Sequence, residues 1–445
     1  MLTRGTLLLG LATLAASPVL AQDEGGLRLT FGIEERLETS DNAGLTTPSS
    51  GRLTASTTNL SFGLISETRT QILRLKLSGG LRFETGDGAA DPDIFGHPSL
   101  EAFYSLTGAN SALTLQAQAR RDLLANAAPT PENPDPRGAG SQTTHSASAL
   151  LDLGTGGPLG LTLQASHNGT TYDGAGPDLF DSRTRALSAT AHLRFPTMGD
   201  VRLSASRSDD DEEDPLNTQR ETSDVKLGWT VPLTPVLTLD SELGFQRLDS
   251  LELGALVDRT EGLVGRAALT WEAANGTAGL SIAKTNDPGA GRVTIQADRS
   301  LDLGNQILTA SLGATQQGDG AAAMIGNLRW TLDGPPGTMV LDLGRTVAAA
   351  GIGEEVTTDH VTIDLNRPLT PLASLGLSMT ASRIDDTSAN LVERLDVTAS
   401  YTRELGSDWA MNVGATFQTR QEATEPRANS RLLFISISRN FTLRP

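Results

Sequence analysis

The alternation of apolar and polar residues predicts an all-β protein. The expected architecture is a single antiparallel transmembrane β-barrel of about 18 to 22 strands, with short periplasmic turns and longer extracellular loops. Three observations carry this expectation. Stretches of roughly ten residues, the length a membrane-spanning strand needs, place apolar side chains at every second position. Short and long connections mostly alternate along the chain. All four tryptophans, Trp229, Trp271, Trp330 and Trp409, lie within a few residues of a short connection.

Composition agrees with a barrel and excludes several other classes. The chain has 445 residues, a formal charge of −18 and no cysteine. Without cysteine there is no disulfide framework, thiolate metal site, cysteine nucleophile or lipoprotein anchor. Hydrophobic residues make up 38% and the mean hydropathy is −0.18, too polar for a bundle of membrane helices. A barrel tolerates such values because only alternate residues meet lipid. So acidic a chain is not expected to bind nucleic acid through a basic surface.

Met1 to Ala21 reads as a cleaved secretory signal. Arg4 supplies the positive start, Leu7 to Ala16 the apolar stretch, and Val19-Leu20-Ala21 the small-residue cleavage site. The expected organisation is therefore a signal over 1–21 and a barrel over 22–445. Strand alternation begins at Leu27, Leu29, Phe31 and Ile33. That leaves no room for an N-terminal plug, so import in the manner of TonB-dependent receptors is not expected.

The plainest hairpin runs from Glu221 to Leu248. Val225, Leu227, Trp229 and Val231 alternate with Asp224, Lys226, Gly228 and Thr230; Leu237, Leu239, Leu243 and Phe245 follow after Pro232-Leu233-Thr234-Pro235. The prolines cannot donate to a ladder, so the strands are expected to stop at that turn. The unit recurs over Arg185–Ser208, over His360–Ile384 with Pro368-Leu369-Thr370-Pro371, and over Leu391–Arg420. A partition of the whole chain on these signals gives about 22 strands. Long connections are expected at Thr39–Arg52, Gly86–His97, Asn126–Ser141, Asp173–Ser182, Asp209–Arg220, Ala348–Thr358 and Gln421–Ala428. The proline-rich Asn126–Ser141 is the longest, either an external loop or a constriction folded into the barrel.

Trp229, Trp271, Trp330, Trp409 and Tyr401 are candidates for an aromatic girdle at the headgroup level, together with Tyr104 and Phe195. The final strand, Arg431–Phe441, alternates Leu433, Ile435, Ile437 and Phe441 on one face, interrupted by Arg439. An apolar last strand with an aromatic residue near its end resembles the assembly signal of Gram-negative outer-membrane β-barrel proteins. The residues Thr39-Ser40-Asp41-Asn42 also resemble barrels associated with bacterial exopolysaccharide systems. These resemblances imply residence in the outer membrane. The partners they imply are lipid, lipopolysaccharide and the barrel-assembly machinery.

Charged residues on the polar faces should point into the lumen, because a charge in hydrocarbon costs a few kcal/mol. The candidate lining is Arg74, Lys76, Arg82, Arg194, Arg202, Asp224, Lys226, Asp240, Glu242, Arg266, Arg394 and Asp396. Arg28, Glu34, Arg36, Arg292, Asp298, Asp342 and Asp364 share the same register. Such a lining either guides a polar solute or fills the barrel with cross-strand ion pairs. The expected function is thus a passive pore or export conduit for polar solutes, a saccharide among them. A non-conducting structural or envelope-assembly barrel is the alternative.

No enzyme chemistry is expected. The acidic run Asp209–Asp214 matches no calcium-loop spacing and reads as a solvated loop tip. Gly154–Gly160 is flanked by strands and reads as a hairpin turn, not a phosphate loop. The five histidines have no metal-ligand spacing. Ser166, His167 and Asp173 are the one set that could approach a hydrolase site. No cofactor or metal is expected.

Overall fold

The computed structural model describes residues 26–87, 93–124, 140–174, 179–196, 198–335, 337–351, 354–386, 391–406, 408–423 and 425–444. The signal segment and most of Asn126–Ser141 lie outside them. Twenty-two strands make one antiparallel sheet. They are β1 (Gly26–Ser40), β2 (Leu53–Glu67), β3 (Gln71–Gly86), β4 (Asp93–Thr107), β5 (Ser111–Leu123), β6 (Ser141–Leu153), β7 (Leu159–Asp173), β8 (Ser182–Phe195), β9 (Gly199–Glu212), β10 (Gln219–Thr234) and β11 (Leu237–Glu252). They continue with β12 (Ala255–Ala273), β13 (Gly276–Asp287), β14 (Ala290–Asp302), β15 (Gln306–Gln317), β16 (Ala323–Gly334), β17 (Gly337–Gly351), β18 (Glu354–Thr370), β19 (Ala373–Asp386), β20 (Leu391–Gly406), β21 (Trp409–Glu422) and β22 (Ala428–Leu443).

Each strand pairs with its neighbours in sequence, and β1 pairs with β22 from Leu29↔Leu443 to Ser40↔Leu432. The sheet is therefore a closed barrel at the upper end of the expected strand count. Closure leaves no free edge, which a strand in hydrocarbon could not tolerate.

The faces follow from the register. Leu227 lies between Leu203 and Leu243, and Val225 between Ala205 and Phe245. Leu227 is 58% exposed and Leu243 62% exposed. On the other face, Asp224 lies between Ser206 and Gln246 and is buried. An apolar set turned outward over a polar set turned inward inverts the usual soluble arrangement. Lipid is the environment that satisfies it. Among the described residues no helix is long and apolar enough to cross a membrane.

The two ends differ. At the short-turn end the outer surface carries Trp229, Trp271, Trp409 and leucines. Toward the long-loop end the same outward rows become charged. Arg207 pairs with Asp209 (2.9 Å) and Glu221 (3.2 Å), and Asp249 pairs with Arg247 and Arg259 (both 2.6 Å). These exposed pairs add little stability; they mark where the lipid-facing band stops.

Several boundaries correct the sequence reading. Ser208–Glu212 belongs to β9, with Ser208–Asp211 paired on both sides and Glu212 paired with Ser182, so most of the acidic run is strand, not loop tip. Asp209 and Asp211 point outward above the apolar band, while Asp210 and Glu212 point inward. Only Glu213 and Asp214 leave the strand, and Asp214 Oδ1 accepts from the Thr218 backbone N–H at 2.7 Å. Ala348–Thr358 is likewise mostly strand, in β17 and β18. β10 and β18 run through Pro232 and Pro368, turning only at Pro235-Val236 and Pro371-Leu372. A bulge between Pro232 and Thr234, and another between Pro368 and Thr370, accommodates each first proline.

Two contacts shape the long-loop end. The β1–β2 connection folds on Asn42, which is 2% exposed. Its amide donates to the carbonyls of Thr46 (2.9 Å) and Asn429 (3.0 Å), and its Oδ1 accepts from the Thr46 and Ser50 N–H groups (3.3 Å each). The loop thereby ties β1 to β22 at the barrel seam. Elsewhere Arg292 of β14 reaches Glu355 of β18 at 2.9 Å. Four strand spacings separate them along the wall, about 19 Å.

Candidate functional site

The inner face is the surface available for chemistry, and the register places the predicted lining residues there. Arg74, Lys76, Arg82, Arg194, Arg202, Asp224, Lys226, Asp240, Glu242, Arg266, Arg394 and Asp396 all project inward from strands whose alternate residues face out. What differs is how each charge is engaged.

Most of them are locked together. Arg82 bridges Glu38 (2.8 Å) and Glu84 (2.7 Å), with Arg36 on the far oxygen of Glu38 (2.9 Å). The ring of Phe434 lies 4.1 Å below the Arg36 guanidinium and covers Gly414, where a side chain would collide with it. Across β9, β10 and β11, Arg202 donates to Asp240 and Thr230 (2.8 Å each), while Lys226 sits 2.8 Å from Asp224 and 3.8 Å from Glu242. Arg394 holds Asp396 at 2.8 Å, and Gln418 donates to the other oxygen of Asp396 at 2.7 Å. Arg194 is engaged differently. It stands at the short-turn end and donates to the carbonyls of Gly154 (3.0 Å) and Gly157 (3.1 Å), clamping the glycine-rich turn.

One sector is not locked. The register aligns Arg28, Ile65, Arg74, Phe103, Gln116 and Ser148 in one row across β1 to β6, with Thr30, Gly63, Lys76, Glu101, Gln118 and Ser146 in the next. These rows line an inward recess of about 570 Å³ in the half of the barrel nearer the short turns. Lys76 and Glu101 stand 3.8 Å apart and both side chains are 61% exposed. Arg74 has no carboxylate partner among the described residues; its guanidinium lies 5.6 Å from the Phe103 ring. The polarity of this sector is visible in the sequence, but the part played by Phe103, Gln116 and Gln118 is not. Their adjacency comes only from the sheet.

Toward the long loops Leu248, Val356, Ile384 and Val392 point inward and are at most 9% exposed.

The structure does not bring together a hydrolase site. Ser166 faces the interior, opposite Ser148, whereas His167 faces outward and meets His145 at 3.3 Å between their Nε2 atoms. Asp173 ends β7, 3.5 Å from Arg121. Among the described residues no group of three or more metal-ligating side chains converges. Trp229, Trp271, Trp330, Trp409 and Tyr401 all point outward near the short turns. Trp229 Nε1 donates to the Met198 carbonyl (2.8 Å) and Trp330 Nε1 to Gln306 (3.2 Å). Arg439, which breaks the apolar face of the last strand, also points outward, 5.5 Å from the Trp409 ring and 4.5 Å from the Phe441 ring. Its charge is thereby held at the aromatic rim.

No family model matches the sequence, and no curated protein matches it. Solved structures do share the fold. The siderophore receptor PirA from Pseudomonas aeruginosa superposes with a TM-score of 0.55 at 11% identity, over 95% of this chain and 81% of that one. The FrpB iron transporter from Neisseria meningitidis gives 0.57 at 9% identity, over 95% and 83%. The ferric-catecholate import receptor Fiu from E. coli K12 gives 0.55 at 10% identity, over 94% and 82%. At such identities the likeness establishes the barrel fold alone.

Proposed function

We propose that this protein is a bacterial outer-membrane barrel that conducts polar solutes, with its short-turn end in the periplasm. The observation that carries the reading is the inner face. A barrel of about eight strands is filled by its own side chains, whereas one of 22 strands is too wide for that. Charged and amide side chains line the space left inside, and in the β1–β6 sector they remain exposed to it.

The outward apolar band supports a membrane setting, with lipid and lipopolysaccharide as its surroundings. The aromatic residues of the short-turn rim then lie at headgroup level. The apolar face of β22 serves the assembly machinery that inserts such barrels. Three fold relatives named as receptors or transporters favour transport as the class of activity. They do not supply the substrate.

A second reading rests on a specific observation. The ion pairs of β9–β11 and the buried inward side chains of Leu248, Val356, Ile384 and Val392 are what a closed, structural barrel would contain. Recording from purified protein in planar bilayers separates the two. Conductance steps support the conduit; inserted barrels without steps support the structural role.

A further inference from the structure

We propose that the recess between β1 and β6 binds an acidic saccharide, by stacking on Phe103 and by pairing a sugar carboxylate with Arg74. This deepens the conduit reading and rests on it for the route by which the sugar reaches the site.

The argument starts from charge. The chain as a whole is strongly acidic. Yet the recess is lined by two cations, Arg74 and Lys76, and one carboxylate, Glu101, which leaves it one positive charge in excess. In the β9–β11 sector each cation of this kind is held at 2.8 Å by a carboxylate. Among the described residues, Lys76 is only loosely held here and Arg74 has no carboxylate partner. A guanidinium that is exposed and unneutralised is a ready partner for a planar carboxylate, which it can grip with two parallel hydrogen bonds.

The neighbouring groups narrow the class of ligand. Phe103 is an inward aromatic ring in a row that is polar apart from it and Ile65. A bare inorganic anion has no use for it, whereas the C–H face of a pyranose ring stacks on it. Gln116 and Gln118 offer both donors and acceptors, and Thr30, Ser61, Ser146 and Ser148 offer hydroxyls, all lining the same recess. Hydroxyl-rich ligands need such two-way partners. The volume of about 570 Å³ lies within the usual range for small-molecule sites. One cation without a carboxylate partner, one ring and a rim of amides and hydroxyls match a sugar carrying a carboxylate better than a neutral sugar or a simple anion.

The test is calorimetric titration of the folded full-length barrel in detergent with trigalacturonate, and with maltotriose as the neutral comparison. The proposal expects trigalacturonate to bind at least roughly tenfold more tightly than maltotriose, the effect of one charge-assisted contact. Arg74→Gln should remove that preference, bringing the two sugars to similar affinity. Phe103→Leu should weaken both sugars. Heat-modifiable mobility on gels checks that each variant is folded, and Phe103→Leu replaces Arg74→Gln as the deciding variant if the latter does not fold. Equal affinity for the two sugars, no binding of trigalacturonate, or unchanged binding in both variants would overturn the proposal. Conductance measured on the same preparation keeps the two ideas apart. Conductance without binding removes the saccharide site alone, and binding without conductance removes the conduit reading alone.

Discussion

The hydroxyls of Ser40 and Ser430 stand 3.0 Å apart although 390 residues separate them. They sit beside the contact of Asn42 with Asn429, where the first strand of the barrel meets the last. The Thr39-Ser40-Asp41-Asn42 segment therefore acts as a latch on the seam. Asp41 takes part through its side chain, which accepts from the Arg431 backbone N–H at 2.7 Å.

Asn42→Ala should destabilise the barrel by about 1–3 kcal/mol, because buried carbonyls lose their donor. Asn429→Ala should be close to neutral, since Asn42 contacts only its main-chain carbonyl. Thermal unfolding in detergent, followed by circular dichroism, measures both. Equal effects of the two substitutions would show that the amide contact does not latch the seam.

Arg82 is the centre of the interior network on β1 to β3, and its side chain is 12% exposed. Arg82→Ala should cost about 3 kcal/mol, because carboxylates are left in a confined space without that guanidinium. Arg82→Ala combined with Glu84→Ala should cost less than the sum of the two single changes. Denaturant unfolding of the four proteins gives the coupling; additive values would contradict a network.

On the proposed membrane setting, the aromatic residues near the short turns mark the headgroup level. Trp229, Trp271, Trp330 and Trp409 should be quenched most efficiently by lipids labelled near the headgroup, and least by labels at the bilayer centre. Single-tryptophan variants reconstituted in vesicles make the comparison. Quenching from water alone would remove the girdle.

Orientation has its own test. An epitope inserted at Leu216-Asn217, in the β9–β10 connection, should be reachable by antibody on intact cells. One inserted at Pro235-Val236 should be reachable only after permeabilisation. The reverse pattern would invert the barrel.

Much of this architecture was legible in the chain because a strand has a fixed period of two. Once Leu227 and Leu243 face outward, the side of every other residue in their strands follows, and with it the inward charges; the strand count was legible only as about 18 to 22. The signal faded wherever the outward face left the lipid. Asp209 and Asp211 occupy outward positions above the apolar band, so alternation disappears there and paired strand looks like an acidic loop. The recess was illegible for another reason. Thr30, Phe103 and Ser148 come from strands far apart in sequence, and only lateral pairing sets them in adjacent rows. The latch at Ser40 and Asn42 and the contact of Arg292 with Glu355 depend equally on closure, which local pattern does not encode.

The central claim is that the barrel holds a water-filled path, and single-channel recording in planar bilayers tests it most directly. Purified, refolded protein should insert and give discrete conductance steps. Its acidic excess should favour cations modestly, and rising salt should weaken that preference by screening. Folded barrels that insert without any steps, even after deletion of Asn126–Ser141, would contradict the claim and leave a structural barrel in its place.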